Sequence, residues 1–245
     1  MKNIKLVLEY DGSNYFGWQR LPNKKHTIQG RLEFILEQIL DEKVEVAGAS
    51  RTDKDVHALG QVANFKTRTS KSIKEIESGL MELLPKDIRA VSVEQVPEQF
   101  HARYNAKMKE YVYQVWNSPH KNVFERHYYY HIPTLLDIDS MNKAKDYFIG
   151  QKDFKNFTAM KAKNKSTVKT IERIDIAKTG EKVILTFKGE AFLHKMVRII
   201  TGTLLEVGLK ERRIADVAAM FEQASRQTSG FTAPAHGLFL KKIYY

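Results

Sequence analysis

Residues 27–40 read Thr27-Ile28-Gln29-Gly30-Arg31-Leu32-Glu33-Phe34-Ile35-Leu36-Glu37-Gln38-Ile39-Leu40. Ile28, Leu32, Ile35, Leu36, Ile39 and Leu40 recur at the 3.6-residue period of a helix with one buried stripe, and Thr27 is a natural N-cap. Before this helix, residues 4–10 alternate as a strand, and a loop rich in turn formers and aromatics, Asp11 to Arg20, leads into it. After it, residues 44–49 and 61–67 read as strands flanking a polar loop. A second helix covers about 72–84 and stops before Pro85, and residues 88–96 alternate around Ile88, Val91, Val93 and Val96. The order β-α-β-β-α-β is that of a split βαβ, ferredoxin-like domain.

The rest of the chain roughly repeats this order. Strands are expected near 104–117 and 127–132, a helix near 139–149, strands near 168–177 and 182–189, helices near 191–206 and 214–224, and a final strand near 238–244. The expected fold class is α+β, with two ferredoxin-like halves whose antiparallel sheets dock around a central active-site cleft. The halves are placed at 1–105 and 106–245, with no Pro/Gly-rich linker between them.

Composition narrows the chemistry. The 245 residues contain no cysteine, which excludes disulfides, thiolate nucleophiles and Cys-based zinc or iron–sulfur sites. The N-terminal apolar stretch is too short for a signal peptide, and no run approaches the ~20 apolar residues of a membrane span. A cytoplasmic location is therefore expected. Net charge is +11 and unevenly spread: residues 1–105 hold 16 basic and 15 acidic side chains, residues 106–245 hold 24 and 14. Such a basic half suits a polyanion, nucleic acid first, although an inert basic surface has the same composition. The densest run is 152–169, where Lys152, Lys155, Lys161, Lys163, Lys165 and Lys169 face one acid, Asp153. Lysines here can follow a phosphate backbone without reading sequence, or simply form a solvated loop.

Three clusters can carry chemistry. Ser50-Arg51-Thr52-Asp53-Lys54-Asp55-Val56-His57 lies between two apolar strands, where a rigid scaffold can present side chains. The cations around Asp53 favour an ionised carboxylate, fit for a nucleophile or a base, while a charged turn with local ion pairs is the plainer reading. A metal site at Asp53, Asp55 and His57 lacks the glycine and terminal glutamate of a calcium loop. Arg198 stands in the apolar run Met196-Val197-Arg198-Ile199-Ile200, with His194 and Thr201 at helical spacing. A guanidinium there needs a carboxylate, for which Asp53 is a candidate, or must snorkel to the helix edge. Finally, Phe100-His101-Ala102-Arg103-Tyr104 leads into Lys107, Lys109, Tyr111 and Tyr113. On a strand the last two share a face, and a tyrosine there can stack on a base, shuttle a proton, or only pack.

Taken in order, these blocks resemble those of the TruA-type tRNA pseudouridine synthases. The resemblance rests on Tyr10-Asp11-Gly12 with Gly17-Trp18-Gln19-Arg20, Arg51-Thr52-Asp53 with Val56-His57-Ala58, Phe100-His101-Ala102-Arg103 with Tyr111-Val112-Tyr113, Phe192-Leu193 with Met196-Val197-Arg198, and Gly237-Leu238. It implies an isomerase that turns uridine into pseudouridine in tRNA without metal or cofactor. The C1′–N1 bond breaks, the base rotates, and C5 bonds to C1′. Asp53 is then the essential carboxylate, as nucleophile or as base toward the ribose, and Arg198 pairs with it and holds it ionised. Tyr111 stacks on the uracil and is placed to take the C5 proton. Leu238 walls the base, and Arg51 helps extrude the uridine or occupies the space it leaves. Arg103 joins the substrate-binding set, and Lys155, Lys161, Lys163 and Lys165 are expected on the RNA backbone. The resemblance further implies action at uridines 38, 39 and 40 of the anticodon stem-loop, base flipping, and a homodimer bridged by one tRNA. Two features depart from the family pattern at the catalytic loop: Asp55 stands where Gly is usual and Lys54 where Ala is common. Glycine commonly serves where φ is positive, and aspartate tolerates that region better than most residues but adds a second carboxylate. Leu21 stands where Gln is frequent. The alternative is therefore a catalytically weakened paralogue that binds or chaperones tRNA.

Overall fold

The computed structural model describes residues 1–22, 26–160, 166–222 and 229–245. It divides into two compact units, Met1–Lys107 with Phe239–Tyr245, and Met108–Leu238. Both are α+β, with five α-helices among the described residues.

The first unit contains β1 (Lys2–Tyr10), α1 (Ile28–Leu40), β2 (Ala47–Gly48), β3 (His57–Thr67), α2 (Ile73–Leu83) and β4 (Ile88–Val96). This is the expected β-α-β-β-α-β order. β1 lies between β4 and β3, antiparallel to both. α1 buries Ile28, Leu32, Ile35 and Leu36, as its periodicity requires, and the Thr27 side chain accepts the Gly30 N–H. α2 opens with a capping box between Ser72 and Glu75, and the exchange holds the Glu75 carboxyl below its ordinary range.

In this unit two findings differ from the sequence expectation. The strand expected at 44–49 shrinks to two residues. The main chain of Val46 is diverted to α1: its N–H donates to Glu33 Oε1 (3.0 Å) and its carbonyl accepts from Gln29 Nε2 (3.1 Å). β2 therefore covers β3 only at Ala63 and Asn64. Farther along β3, at His57 and Ala58, the final strand β10 (Leu238–Tyr244) pairs in parallel through Phe239 and Leu240. Residues 239–245, expected with the second half, thus cluster with the first unit.

The second unit builds its sheet in the order β5 (Met108–Asn117), β9 (Lys182–Gly189), β8 (Val168–Thr179), β7 (Gly150–Asp153), all antiparallel. β6 (Tyr130–Ile132) pairs in parallel with β5. The helices are α3 (Ile138–Lys145), α4 (Met196–Gly208) and α5 (Ile214–Glu222). α4 begins five residues later than its apolar run suggests. The His194 carbonyl accepts from Ala159 N–H (3.1 Å) and Thr158 Oγ1 (3.1 Å), and Lys195 takes a left-handed conformation at φ 61°. His194 therefore precedes the helix instead of starting a stripe with Arg198. Thr201 is buried and donates to the carbonyl of Val197 within α4. Among the described residues no helix is long and apolar enough to cross a membrane.

Candidate active site

The loop carrying Asp53 is fixed from beneath by polar side chains that point out of the sheet. Gln61, buried on β3, grips Ser50 twice: its Oε1 accepts the Ser50 N–H (3.1 Å) and its Nε2 donates to the Ser50 carbonyl (2.7 Å). Tyr10, at the end of β1, shares a buried 2.8 Å hydrogen bond between its hydroxyl and that of Thr52. Each such bond contributes about 1 kcal/mol, and removing one buried partner costs about 1–3 kcal/mol.

The loop between β1 and α1 closes over the Asp53 loop. The Trp18 N–H donates to the Thr52 carbonyl (3.1 Å) and the Asp55 N–H to the Tyr15 carbonyl (3.4 Å). Gly17 has φ +86°, and an added Cβ would stand 2.5 Å from the Thr52 carbonyl oxygen and 2.9 Å from the Asp53 carbonyl carbon. At Gly12 a Cβ would fall 2.1 Å from the Val56 carbonyl oxygen. The glycines are thus required because two backbones touch, which gives the motif Tyr10-Asp11-Gly12 with Gly17-Trp18 a physical meaning. Its last residue is used on the other side: Arg20 pairs with buried Glu33 of α1 at 2.8 Å. The Gly12 N–H donates to His57 Nδ1 (3.1 Å), and the His57 ring stacks on Phe239 at 4.6 Å. Tyr15 donates to the Asp87 carboxylate (2.6 Å), and burial together with that bond raises its phenol well above the ordinary value.

At the tip, Asp53 is half-buried, and its carbonyl accepts the Val56 N–H (3.3 Å) in the turn that starts β3. Asp55 adopts φ +63°, the left-handed conformation for which glycine is the usual solution. The departure from the family pattern therefore preserves the backbone turn. Lys54 Nζ lies 4.0 Å from the Asp55 carboxylate and 5.4 Å from the Phe16 ring centroid, contacts too exposed to add much stability. Arg51 is exposed two residues before Asp53.

Apart from Arg103, the other expected site residues belong to the second unit. On β5, Tyr111 and Tyr113 share the buried face, and the Tyr111 ring meets Phe192 edge-on at 5.3 Å. Tyr113 is fully buried, donates to the Pro234 carbonyl (2.8 Å), and has its phenol raised by desolvation and partly lowered again by Arg198. Arg198 Nε donates to the Ala233 carbonyl (2.7 Å), and the Ala233 N–H returns a bond to the Arg198 carbonyl (3.1 Å). β5 and α4 thereby clamp the 233–234 strap that leads, through Gly237, into buried Leu238. A Cβ on Gly237 would stand 2.8 Å from the Tyr113 ring. Arg103 is exposed on the loop after β4 of the first unit. Lys155 opens a short 3₁₀ turn beside Asp153 (3.8 Å), anchored by the buried rings of Phe154 and Phe157. Lys161, Lys163 and Lys165 lie outside the described residues. Among the described residues no three His, Asp or Glu side chains gather as metal ligands do.

Sequence reasoning quoted Tyr10 in a motif without its bond to Thr52, and it missed Gln61 and the Gln29–Glu33 pair. The available signal was a polar side chain at an otherwise apolar strand or helix position.

The model of the tRNA pseudouridine synthase family matches residues 6–105 and 144–245. The chain belongs to the tRNA pseudouridine synthase family. The matched residues include Arg51, Asp53, Arg103, Arg198 and Leu238, while Tyr111 falls in the intervening stretch. A Bacillus sp. (strain KSM-64) protein named tRNA pseudouridine synthase A is 43% identical over 100% of both chains. A protein of the same name from Acetivibrio thermocellus is 42% identical, again over 100% of both. In Clostridium tetani, tRNA pseudouridine synthase A 2 is 42% identical over 100% of this chain and 99% of its own. Among solved structures, the archaeal box H/ACA sRNP Nop10–Cbf5 complex aligns with 95% of this chain and 58% of the other, with a TM-score of 0.39 and 11% identity.

Proposed function

We propose that this family member isomerises uridine to pseudouridine at positions 38–40 of the tRNA anticodon stem-loop, with Asp53 as the essential carboxylate. The observation that carries the reading is the fixing of the Asp53 loop: Gln61 and Tyr10 grip it from the sheet, and Gly12 and Gly17 press on it from the β1–α1 loop. An isomerisation at C1′ needs a carboxylate held at one point relative to the sugar, and positioning of this kind lowers the barrier by prepaying orientation. Asp55 in the left-handed region supports catalysis over a weakened binding module, since the turn after Asp53 is retained.

In this reading the target uridine leaves its stack, which costs a few kcal/mol and is offset by phosphate contacts and stacking in the site. Arg51 assists extrusion, Tyr111 stacks on the uracil and takes the C5 proton, Leu238 forms an apolar wall, and Arg198 pairs with Asp53. Arg103 and the lysines Lys155, Lys161, Lys163 and Lys165 bind the substrate without a cofactor. The chain works as a cytoplasmic homodimer with one tRNA bridging its subunits.

The test uses tRNA carrying 5-tritiated uridine, since forming the C5–C1′ bond releases the C5 hydrogen. Asp53→Asn is expected to release no tritium while tRNA binding persists. Near-normal release from that variant would remove Asp53 from the mechanism. Pseudouridine mapping in total tRNA from cells lacking the protein checks positions 38–40.

A further inference from the structure

The loop after β4 combines a tightly held backbone with an exposed aromatic surface. From below, two buried asparagines carry it. Asn64 Oδ1 accepts the Ala102 N–H (2.8 Å), Asn64 Nδ2 donates to Asn3 Oδ1 (2.9 Å), and Asn3 Nδ2 donates to the carbonyls of Phe100 (2.8 Å) and Pro97 (3.0 Å). Tyr245, just after β10, adds a bond to the Ala102 carbonyl (2.8 Å), and Ala102 is fully buried. From within, the Asn105 N–H closes the turn on the His101 carbonyl (3.0 Å), and Asn105 Oδ1 accepts the His101 N–H (2.6 Å). His101 Nδ1 accepts the N–H groups of Arg103 (3.1 Å) and Tyr104 (3.4 Å).

The outer side of this turn carries the opposite chemistry. Tyr104 is 76% exposed. Its ring sits 4.2 Å from the His101 ring, and the Arg103 guanidinium lies 6.0 Å from its centroid. The imidazole is locked by its Nδ1 bonds, so the tyrosine rests on a fixed support with most of its surface in water. A rigid turn with an exposed aromatic ring and an adjacent guanidinium matches what an unpaired nucleobase and its phosphate need: a π-face to stack on and a cation alongside.

We propose that His101, Arg103 and Tyr104 form a stacking platform for an unpaired base of the RNA, with Tyr104 as the stacking surface and Arg103 on the neighbouring phosphate. The proposal rests on tRNA being the ligand, not on Asp53 being catalytic. The platform contributes affinity through one base–aromatic stack, on the order of ten- to a hundredfold in the dissociation constant.

The test measures binding of an unmodified tRNA transcript, and of a blunt RNA duplex with every base paired, across a salt series. Tyr104→Ala is expected to weaken tRNA binding about ten- to a hundredfold at every salt concentration with the slope unchanged, because stacking releases no counterions. Tyr104→Phe should bind as the parent does, and the duplex should not distinguish parent from Tyr104→Ala. Arg103→Ala should instead lower the salt slope by about one. The platform is overturned if Tyr104→Ala binds tRNA within twofold of the parent, or if it weakens tRNA and duplex equally. A change in the sedimentation of the protein alone would mark the face as a protein contact and also overturn it. If the parent itself fails to bind tRNA, the RNA reading falls with it, whereas full parental binding beside an unaffected variant removes only the platform. Thermal unfolding of each variant, expected to match the parent, separates loss of the stack from loss of the turn.

Discussion

The loop at 49–56 and residues 154–160, within the lysine-rich stretch, both follow or precede strands as irregular segments, yet they are held in different ways. The first is gripped by buried side chains from β1 and β3 and touched by two glycines from the neighbouring loop. The second is anchored at its start by packed rings, Phe154 and Phe157 against Phe148 and Phe221, with Lys155 left half-exposed beside one acid. The contrast fits the work proposed for each. A carboxylate acting on one bond must stay within a fraction of an ångström of its place, whereas a lysine contributes charge to a phosphate chain from many positions.

Four substitutions sharpen that contrast, in falling order of effect. Gly17→Ala forces a side chain at positive φ into the Thr52 carbonyl, so it is expected to cost about 1–3 kcal/mol of stability and most of the turnover. Denaturant unfolding and tritium release measure the two. Gln61→Leu removes both hydrogen bonds between this side chain and the Ser50 main chain, at about 1–3 kcal/mol. Its signature is a kcat reduced about tenfold with the KM for tRNA unchanged, since the loop loses position and not charge. A rise in KM alone would show that Gln61 serves binding instead.

Tyr15→Phe removes the bond to Asp87, at about 1 kcal/mol, and it also changes the pH response. The Tyr15 phenol is held above its ordinary value of 10.0, so the folded protein keeps a proton that the unfolded chain gives up. That contribution is complete below about pH 10 and is lost as pH climbs toward the folded value. Unfolding curves between neutral and strongly alkaline pH should therefore fall less steeply for Tyr15→Phe than for the parent. Lys155→Ala is the mildest: the salt slope of tRNA binding falls by about one with kcat unchanged. An unmoved slope would take Lys155 off the interface.

The sequence displayed the parts of the fold that local patterning specifies. α1 has a single apolar stripe behind a threonine cap, and Ser72 with Glu75 marks the start of α2. Asp53 was visible as a polar island between apolar strands. What stayed hidden depends on partners distant in the chain. The shortening of β2 comes from Gln29 and Glu33 competing for the Val46 main chain, and the late start of α4 from Thr158 and Ala159 claiming the His194 carbonyl. β7, Gly150–Asp153, has no alternation to read. Gln61 looked like an ordinary strand residue and Tyr10 was marked only by its motif, because nothing local says which carbonyl or hydroxyl a buried polar group will meet. The same holds for β10, whose place beside His57 is decided only when the chain returns.

That return has a bearing on biosynthesis. When a ribosome has made the first 107 residues, His57 has no Phe239 to stack on, Ala102 no tyrosine hydroxyl at its carbonyl, and the Lys107 N–H no acceptor at Tyr244. The seam between β3 and β10 closes only after residues 239–245 have emerged from the exit tunnel. A nascent chain stalled short of that point lacks the parallel neighbour of β3 at His57 and Ala58, and chaperone occupancy should persist until residues 239–245 are free to pair.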